Sequence, residues 1–217
     1  MNYKEEDLSN FRKSYEKGLI SDDFKKFNPL FIFSNWFEEA KKDKDILEPN
    51  AMTLSTVGLD YFPKSRIVLL KKFSSNGFTF FTNYESNKGK SISNNSQVCL
   101  NFYWPTLEKQ IIIKGTASKI PQKESEDYFK SRPLGSKIGA IVSNQSEVIE
   151  SREFLEAKFR EVSDLYTKIN PQRPRNWGGY LVKPLLFEFW QGRKNRLHDR
   201  LEFIYEGNTW NSNRLSP

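Results

Sequence analysis

The sequence predicts a mainly β protein, a barrel or curved sheet with peripheral α-helices, and three observations lead there. Short runs rich in β-branched and aromatic residues follow one another between residues 51 and 120, with turn signals between them. A second group of such runs closes the chain, and the helical patterns do not alternate with every strand. No GxGxxG follows a strand and no GxxxxGK[ST] occurs, so neither a dinucleotide fold nor a P-loop is supported.

Residues 4–18 read as a polar helix within an N-terminal arm, 1–25, expected to be mobile; residues 26–217 read as one domain. Asn28 as N-cap and Pro29 at the first helical position open a clearer helix, with Leu30, Phe33, Trp36, Phe37 and Ala40 as its apolar stripe. AMTLSTVGL, SRIVLLKKF, GFTFFTN, QVCLNFYW and KQIIIKGTASKI then read as strands, with a turn at SSNG. SNKGKSISNN, PQKESEDYFKSR and PLGSKIGAIVS are short helices by pattern. Residues 151–167 form the most amphipathic helix, with Phe154, Leu155, Phe159, Val162 and Tyr166 on one side. After the proline-rich NPQRPRNWGG, the runs YLV, LLFEFWQ, HDRLEFIYE and NTWNSNRL return as strands, and nothing repeats at a fixed period.

Composition narrows the function classes. The 217 residues include 18 Phe, 9 Tyr and 5 Trp, so the apolar bulk comes largely from rings. A net charge of +7 suits anionic partners, but the basic residues are interspersed with acids rather than gathered into an arm. Cys99 is the one cysteine, which excludes an intrachain disulfide and a cysteine-based zinc site. The N-terminal residues lack a signal peptide's apolar core, and no apolar run reaches the ~18 residues of a membrane span. A cytoplasmic protein is the expectation. One His and no GxSxG leave metal-dependent and triad hydrolysis without support.

Without a glycine-rich loop, any phosphate must be held by side chains. In SRIVLLKK, Arg66 and Lys71 lie on opposite faces of a regular strand, so each end offers a cation, a fork from Arg and a point charge from Lys. In FEFWQGRKNRLHDRLEF, 187–203, alternation places Arg196, His198 and Arg200 on one face; two guanidiniums beside the imidazole would keep it neutral near pH 7. An exposed polar edge strand explains the same pattern equally well.

FEFWQGRKNRLHDR resembles the C-terminal signature of the pyridoxine (pyridoxamine) 5′-phosphate oxidase family, the FMN enzymes of vitamin B6 metabolism. RIVLLK (66–71), FFTNYESNKGK (80–90), EKQIIIKG (108–115), YFKSRPLGSKIGA (128–140), SNQS (143–146), NWGGY and the closing RLSP match in the family's order and cover nearly the whole chain. The resemblance implies an FMN-binding split β-barrel. It implies a homodimer with flavin at the subunit interface, and oxidation of pyridoxine 5′-phosphate and pyridoxamine 5′-phosphate to pyridoxal 5′-phosphate with O2 reduced to hydrogen peroxide.

For individual residues, the resemblance implies that Arg66, Ile67, Val68, Leu69, Leu70 and Lys71 line the flavin. Phe81, Thr82, Asn87, Lys88, Gln110, Gln145, Ser146, Trp190 and Arg200 complete its site. Lys71, Tyr128, Arg132 and Ser136 would hold the substrate phosphate, and Arg196, Leu197 and His198 would meet the pyridine ring, with Arg196 and His198 catalytic. Arg12 and Tyr15 would fold over the substrate as a lid. Asn87 stands where many relatives carry a basic residue, and Phe81 lacks the hydroxyl of a tyrosine common there, so weaker flavin retention is expected. Two rivals are weighed: another split-barrel FMN oxidoreductase, which the presence of the 128–136 and 196–198 sets disfavours, and a non-enzymatic β-barrel whose rings and basic residues bind single-stranded nucleic acid; neither nucleic acid nor a membrane is the expected partner.

Overall fold

The computed structural model describes residues 5–167 and 169–217. In chain order the elements are α1 (Pro29–Lys42), β1 (Ala51–Val57), β2 (Pro63–Leu69), β3 (Lys72–Ser74), β4 (Gly77–Asn83), α2 (Asn87–Asn94), β5 (Gln97–Trp104) and β6 (Lys109–Lys119). They continue as α3 (Gln122–Ser131), α4 (Leu134–Val142), α5 (Arg152–Leu165), β7 (Trp177–Gln191), β8 (Asp199–Glu206) and β9 (Thr209–Leu215). The chain divides into two compact units. The first runs to Pro49 and adds Tyr103–Ile111 and Glu188–Pro217; the second comprises Asn50–Phe102 and Ile112–Phe187.

The second unit is a sheet in the order β2-β1-β5-β6-β7-β4-β3. β1 shows why a half-buried strand alternates: Met52, Leu54 and Thr56 are buried while their neighbours are partly open. Leu54 pairs with Arg66 across β2 and with Leu100 across β5. β4 reads as a near-continuous apolar run because it is buried almost throughout, antiparallel to β7 with Phe81 opposite Gly179 and Thr82 opposite Gly178. Gly77 enters that strand at φ 132°, where a Cβ would lie 2.1 Å from the Val182 carbonyl, so only glycine fits. Phe78 packs on Phe187 and Phe80 stacks on Tyr180.

SRIVLLKKF is not one strand. β2 ends at Leu69 and β3 begins at Lys72, because the chain changes partners between them: Leu70 N donates to Asn50 O and Lys71 N to Thr79 O. The reverse occurs at YLVKPLLFEFWQ, where β7 continues through Pro184 as one strand of 15 residues. The three helices read at 87–94, 122–131 and 134–142 form as expected, and Arg132 with Pro133 makes the break between α3 and α4. In α5 the expected apolar side is only partly covered; Leu155, Phe159, Val162 and Tyr166 are half-buried and Phe154 is exposed.

The first unit is built on α1, whose Asn28 side chain accepts from Leu30 N at 2.9 Å, as the cap signal implied. Its buried face, Ile32, Phe33, Trp36 and Ala40, carries Trp36 edge-on to Phe189 at 5.3 Å; Phe189 in turn meets Phe203 of β8. β8 pairs with β9 from Arg200–Leu215 to Glu206–Thr209.

The helix expected at 4–18 does not form over residues 5–18; residue 4 lies outside the described residues. A helix polar on all sides has nothing to bury, and here the backbone donors have better acceptors. Glu16 N and Lys17 N both donate to Glu108 Oε2, at 2.7 and 2.9 Å, and Ile20 N donates to Asp199 Oδ2 at 3.1 Å. Glu108 is 2% exposed and sits at φ 55°, so a tight turn presents its carboxylate to the extended segment. Arg214 adds a bond to Ile20 O at 2.8 Å.

Hydrogen bonds to a charged group are worth about 1.5–3 kcal/mol, so Glu108→Ala is expected to speed tryptic cleavage at Arg12, Lys13 and Lys17 by about tenfold or more. Unchanged cleavage rates in the folded variant would show that this carboxylate does not hold the segment.

Candidate active site

The structure gathers the residues singled out in the sequence into two sets, one in each unit. In the second unit a cavity of about 600 Å³ is lined by Ile67, Val68, Leu69 and Lys71, by Phe81, Thr82 and Lys88, and by Tyr128, Arg132, Ser136 and Gln145. A neighbouring cavity of about 530 Å³ is lined by Lys64, Ser65, Arg66 and Asn87, with Ser146, and the two share Ile67, Lys88 and Gln145. Among the described residues, no carboxylate lines either. Leu70 is buried and absent from both walls.

Lys88 is the most constrained cation. It lies in the first turn of α2, which Ser86 caps by accepting from Gly89 N. Gly89 allows that turn to close against Tyr84, since a Cβ there would meet the Tyr84 carbonyl at 2.0 Å. The ammonium donates to Thr82 Oγ1 at 3.1 Å, Ser86 Oγ at 3.0 Å and Gln145 Oε1 at 2.6 Å, all neutral acceptors. Burial first and the nearby Arg66 second push its pKa down to about 8. Arg66 donates to Leu54 O and Thr56 Oγ1, across the β1–β2 ladder, and burial lowers its pKa as well.

Arg132 is held by rings. Its guanidinium lies 4.6 Å over Trp177 and 5.7 Å over Phe129, and its buried Nη1 has no hydrogen-bond partner. Phe81, Tyr128 and Trp177 stack in near-parallel, with Phe81 and Tyr128 at 3.8 Å. Trp177 is a wall residue that sequence reading left without a role, although NWGGY was noted as a motif; Asn83, Gly139, Ala140 and Ser143 were also missed. Small residues at 139, 140 and 143 carry no chemical signal, and only folding α4 beside the cavity reveals them.

The first unit holds Arg12, Tyr15, Gln110, Trp190, Arg196, Leu197, His198 and Arg200. Strict alternation across 196–200 does not survive. Lys194–Arg196 is a 3-10 turn with Asn195 and Arg196 at φ 57° and 60°, and β8 starts only at Asp199. The polar residues therefore do not share one strand face. Arg200 is turned to Glu188 at 2.8 Å and to Ser216 O, whereas Arg196 and Leu197 are exposed. Arg12 is also exposed and bonds only locally, its Nε donating to Ser9 O.

His198 lies 4.7 Å from Trp190 and 5.6 Å from Tyr15, ring to ring. Its Nδ1 accepts from Arg193 N at 3.1 Å, so in the neutral ring the proton belongs to Nε2. Burial and then the charge of Arg196 lower its pKa; Arg200 takes no part, correcting the two-guanidinium expectation. Asp199 organises this turn, accepting from Arg193 Nη1 at 3.3 Å, Arg214 Nη1 at 2.9 Å and Ile20 N at 3.1 Å.

The lowered pKa of Lys88 fixes a pH dependence for any anion held there. Binding needs the ammonium, whose free-protein population falls as pH rises through about 8. Affinity for a phosphate is therefore expected to drop up to about tenfold per pH unit above that point, until the bound-state pKa is reached. Titrating the protein with FMN, the phosphate-bearing cofactor that the resemblance implies, by fluorescence quenching checks this, and Lys88→Gln should bind more weakly with the slope gone. A wild-type affinity flat from pH 7 to about 10 would remove Lys88 from the anion site.

Comparison with known proteins agrees with the fold. Residues 38–166 match the family model described as pyridoxamine 5′-phosphate oxidase, and residues 177–217 match the pyridoxine 5′-phosphate oxidase C-terminal dimerisation region. The chain is 52% identical over 212 residues to a pyridoxine/pyridoxamine 5′-phosphate oxidase of Flavobacterium psychrophilum, covering 97% of this chain and 99% of the relative. It is 48% identical to the protein of that name from Bordetella pertussis, again covering 97% and 99%. PhzG from Burkholderia lata, solved with tetrahydrophenazine-1-carboxylic acid, superposes with TM-score 0.85 at 26% identity, over 92% of this chain and 98% of that one. A pyridoxamine 5′-phosphate oxidase-related, FMN binding protein from Nostoc punctiforme shares the fold, with TM-score 0.72 at 14% identity over 88% and 99%. With its split β-barrel fold, the chain belongs to the pyridoxine/pyridoxamine 5′-phosphate oxidase family.

Proposed function

We propose that the chain is a cytoplasmic FMN-dependent oxidase that converts pyridoxine 5′-phosphate and pyridoxamine 5′-phosphate to pyridoxal 5′-phosphate. One observation carries the reading at residue level: Arg66, Lys71, Lys88 and Arg132 line adjoining cavities that contain no carboxylate, next to stacked aromatic rings. Two phosphates, one on cofactor and one on substrate, fit that charge. The buried ammonium of Lys88, bonded only to neutral oxygens, and the unpartnered Nη1 of Arg132 both favour an anionic occupant. A nucleic-acid surface would want its cations spread along an open face rather than enclosed with rings.

Arg66 and Lys88 would hold the FMN phosphate, with Thr82, Gln145 and Ser146 around it and Ile67–Lys71 along the flavin. When bound, FMN would supply the redox chemistry of the site, a hydride acceptor at N5 for the substrate C4′ with O2 as the final oxidant, reduced to hydrogen peroxide. Alcohol substrate yields the aldehyde directly, and amine yields an imine that water hydrolyses. Lys71, Arg132, Tyr128 and Ser136 would anchor the substrate phosphate, fixing C4′ in place. Arg132 is preorganised for this by the rings of Phe129 and Trp177.

The match of 177–217 to a dimerisation region supports a homodimer, and we place the flavin at the interface between copies, where Gln110, Trp190, Arg196, Leu197, His198 and Arg200 would complete the site. Tyr15, held against Trp190 and His198, would close over the substrate together with Arg12. His198 would act by donation. Its Nδ1 lone pair is taken by Arg193 N–H, so the neutral ring presents Nε2–H to the C4′ substituent and orients it.

The direct test adds pyridoxine 5′-phosphate to the yellow protein without oxygen. The flavin's visible absorption should bleach and return on admitting air; no bleaching with either substrate would overturn the assignment. For His198, wild type and His198→Gln, which keeps an N–H donor, should show pH profiles of kcat with no acid limb at or below pH ~6.5, the side to which burial and Arg196 move the imidazole. A limb present in wild type and absent from His198→Gln would make the imidazole a base.

A further inference from the structure

α3 and α4 face two cavities. Beside the one already described lies another of about 560 Å³, lined by Lys130, Lys137, Arg173, Glu126, Phe129 and Gln172 among others, and sharing no lining residue with the first. Ser136 of α4 lines one cavity and Lys137 the other; Tyr128 of α3 lines one and Phe129 the other.

The charges in this second space do not balance. Lys137 is only 7% exposed, and among the described residues its ammonium has no hydrogen-bond or ion-pair partner. The Arg173 side chain is 10% exposed. Its Nη1 donates to the carbonyls of Pro174 and Trp177, its Nη2 stands 3.9 Å from Glu126, and its buried Nε has no acceptor. Glu126 also accepts from Gln122 Nε2 at 2.6 Å, so its charge is shared. Among the described residues, three cations against one carboxylate leave two positive charges uncompensated around the cavity. The buried guanidinium N–H of Arg173 is costly to leave without an acceptor, and Lys137, a nearly buried side chain, brings its ammonium to the same cavity, where an oxyanion would answer both.

We infer that this cavity is a second anion site, separate from catalysis, that takes a small phosphate-bearing molecule. A dianionic phosphate matches the surplus of two charges and offers enough acceptor oxygens for Lys137 Nζ, Arg173 Nε and Lys130 at once. The Phe129 ring and Pro171, both buried, give the rest of the space an apolar wall on which a carbon body could lie.

The test uses FMN-loaded protein carrying Lys71→Met and Arg132→Gln, so that the proposed substrate-phosphate cations are gone and the flavin fills its own site. Inorganic phosphate should still raise the melting temperature, by about 3 °C at ten times its Kd. Adding Lys137→Met should abolish the rise, and Lys137→Arg should keep it. Glycerol phosphate run in parallel separates a site for free phosphate, where the two bind alike, from one for a phosphate ester, where the ester binds more tightly. No rise up to about 100 mM of either, or a rise that survives Lys137→Met, would overturn the proposal. Selenate soaked into wild-type crystals gives an independent reading: an anomalous peak between Lys137 and Arg173 supports the site, and a peak only beside Lys71 and Arg132 refutes it.

Discussion

Lys88 holds a charge inside the protein that no carboxylate answers. Three neutral oxygens, from Thr82 on β4, Ser86 at the cap of α2 and Gln145 in the loop after α4, surround its ammonium. That one group ties a strand end, a helix start and a loop together, and it does so at the cost of an unneutralised cation. Arg66 on the neighbouring strand raises the local potential further. An anion entering there gains two cations already desolvated and already oriented, so charge-assisted bonds form with little reorganisation. The missing glycine-rich loop follows from this arrangement. In the proposed site a phosphate would be held by side chains from a strand and a helix start rather than by the backbone amides of a glycine-rich loop.

The first unit follows a different rule, in which buried or half-buried carboxylates gather the chain. Glu108 takes the amides of Glu16 and Lys17, and Asp199 takes Ile20 N together with two guanidiniums. The N-terminal segment is thereby fixed in extended form, with Tyr15 against Trp190 and His198. Asp199 also holds Arg193, whose backbone N–H sets which nitrogen of His198 keeps the proton. The imidazole's chemistry thus traces back to Asp199, the residue next to it.

Legibility tracked how local each signal was. Asn28-Pro29, the SSNG turn and the Arg132-Pro133 break each rest on one or two residues acting on their own backbone, and each was readable. The pairing of Arg66 with Leu54 and the placement of Lys71 between two strands depend on which strand the chain chooses as partner. The polar segment before residue 20 looked helical only because its distant acceptors, Glu108 and Asp199, are invisible in a window of neighbours. Alternation misled in the same way at 196–200, where two residues at positive φ turn the chain before the strand begins.

By itself, the sequence determined the fold class, the family motifs in their order and the set of cations and rings from which the site is made, because composition and local spacing are properties of the chain. Tertiary structure decided which cations lack counter-charges, which nitrogen of His198 is free to donate and that α3 and α4 each border two cavities. Those depend on distances between residues far apart in the chain, and electrostatic and hydrogen-bond energies are functions of distance and burial, which no sequence pattern carries.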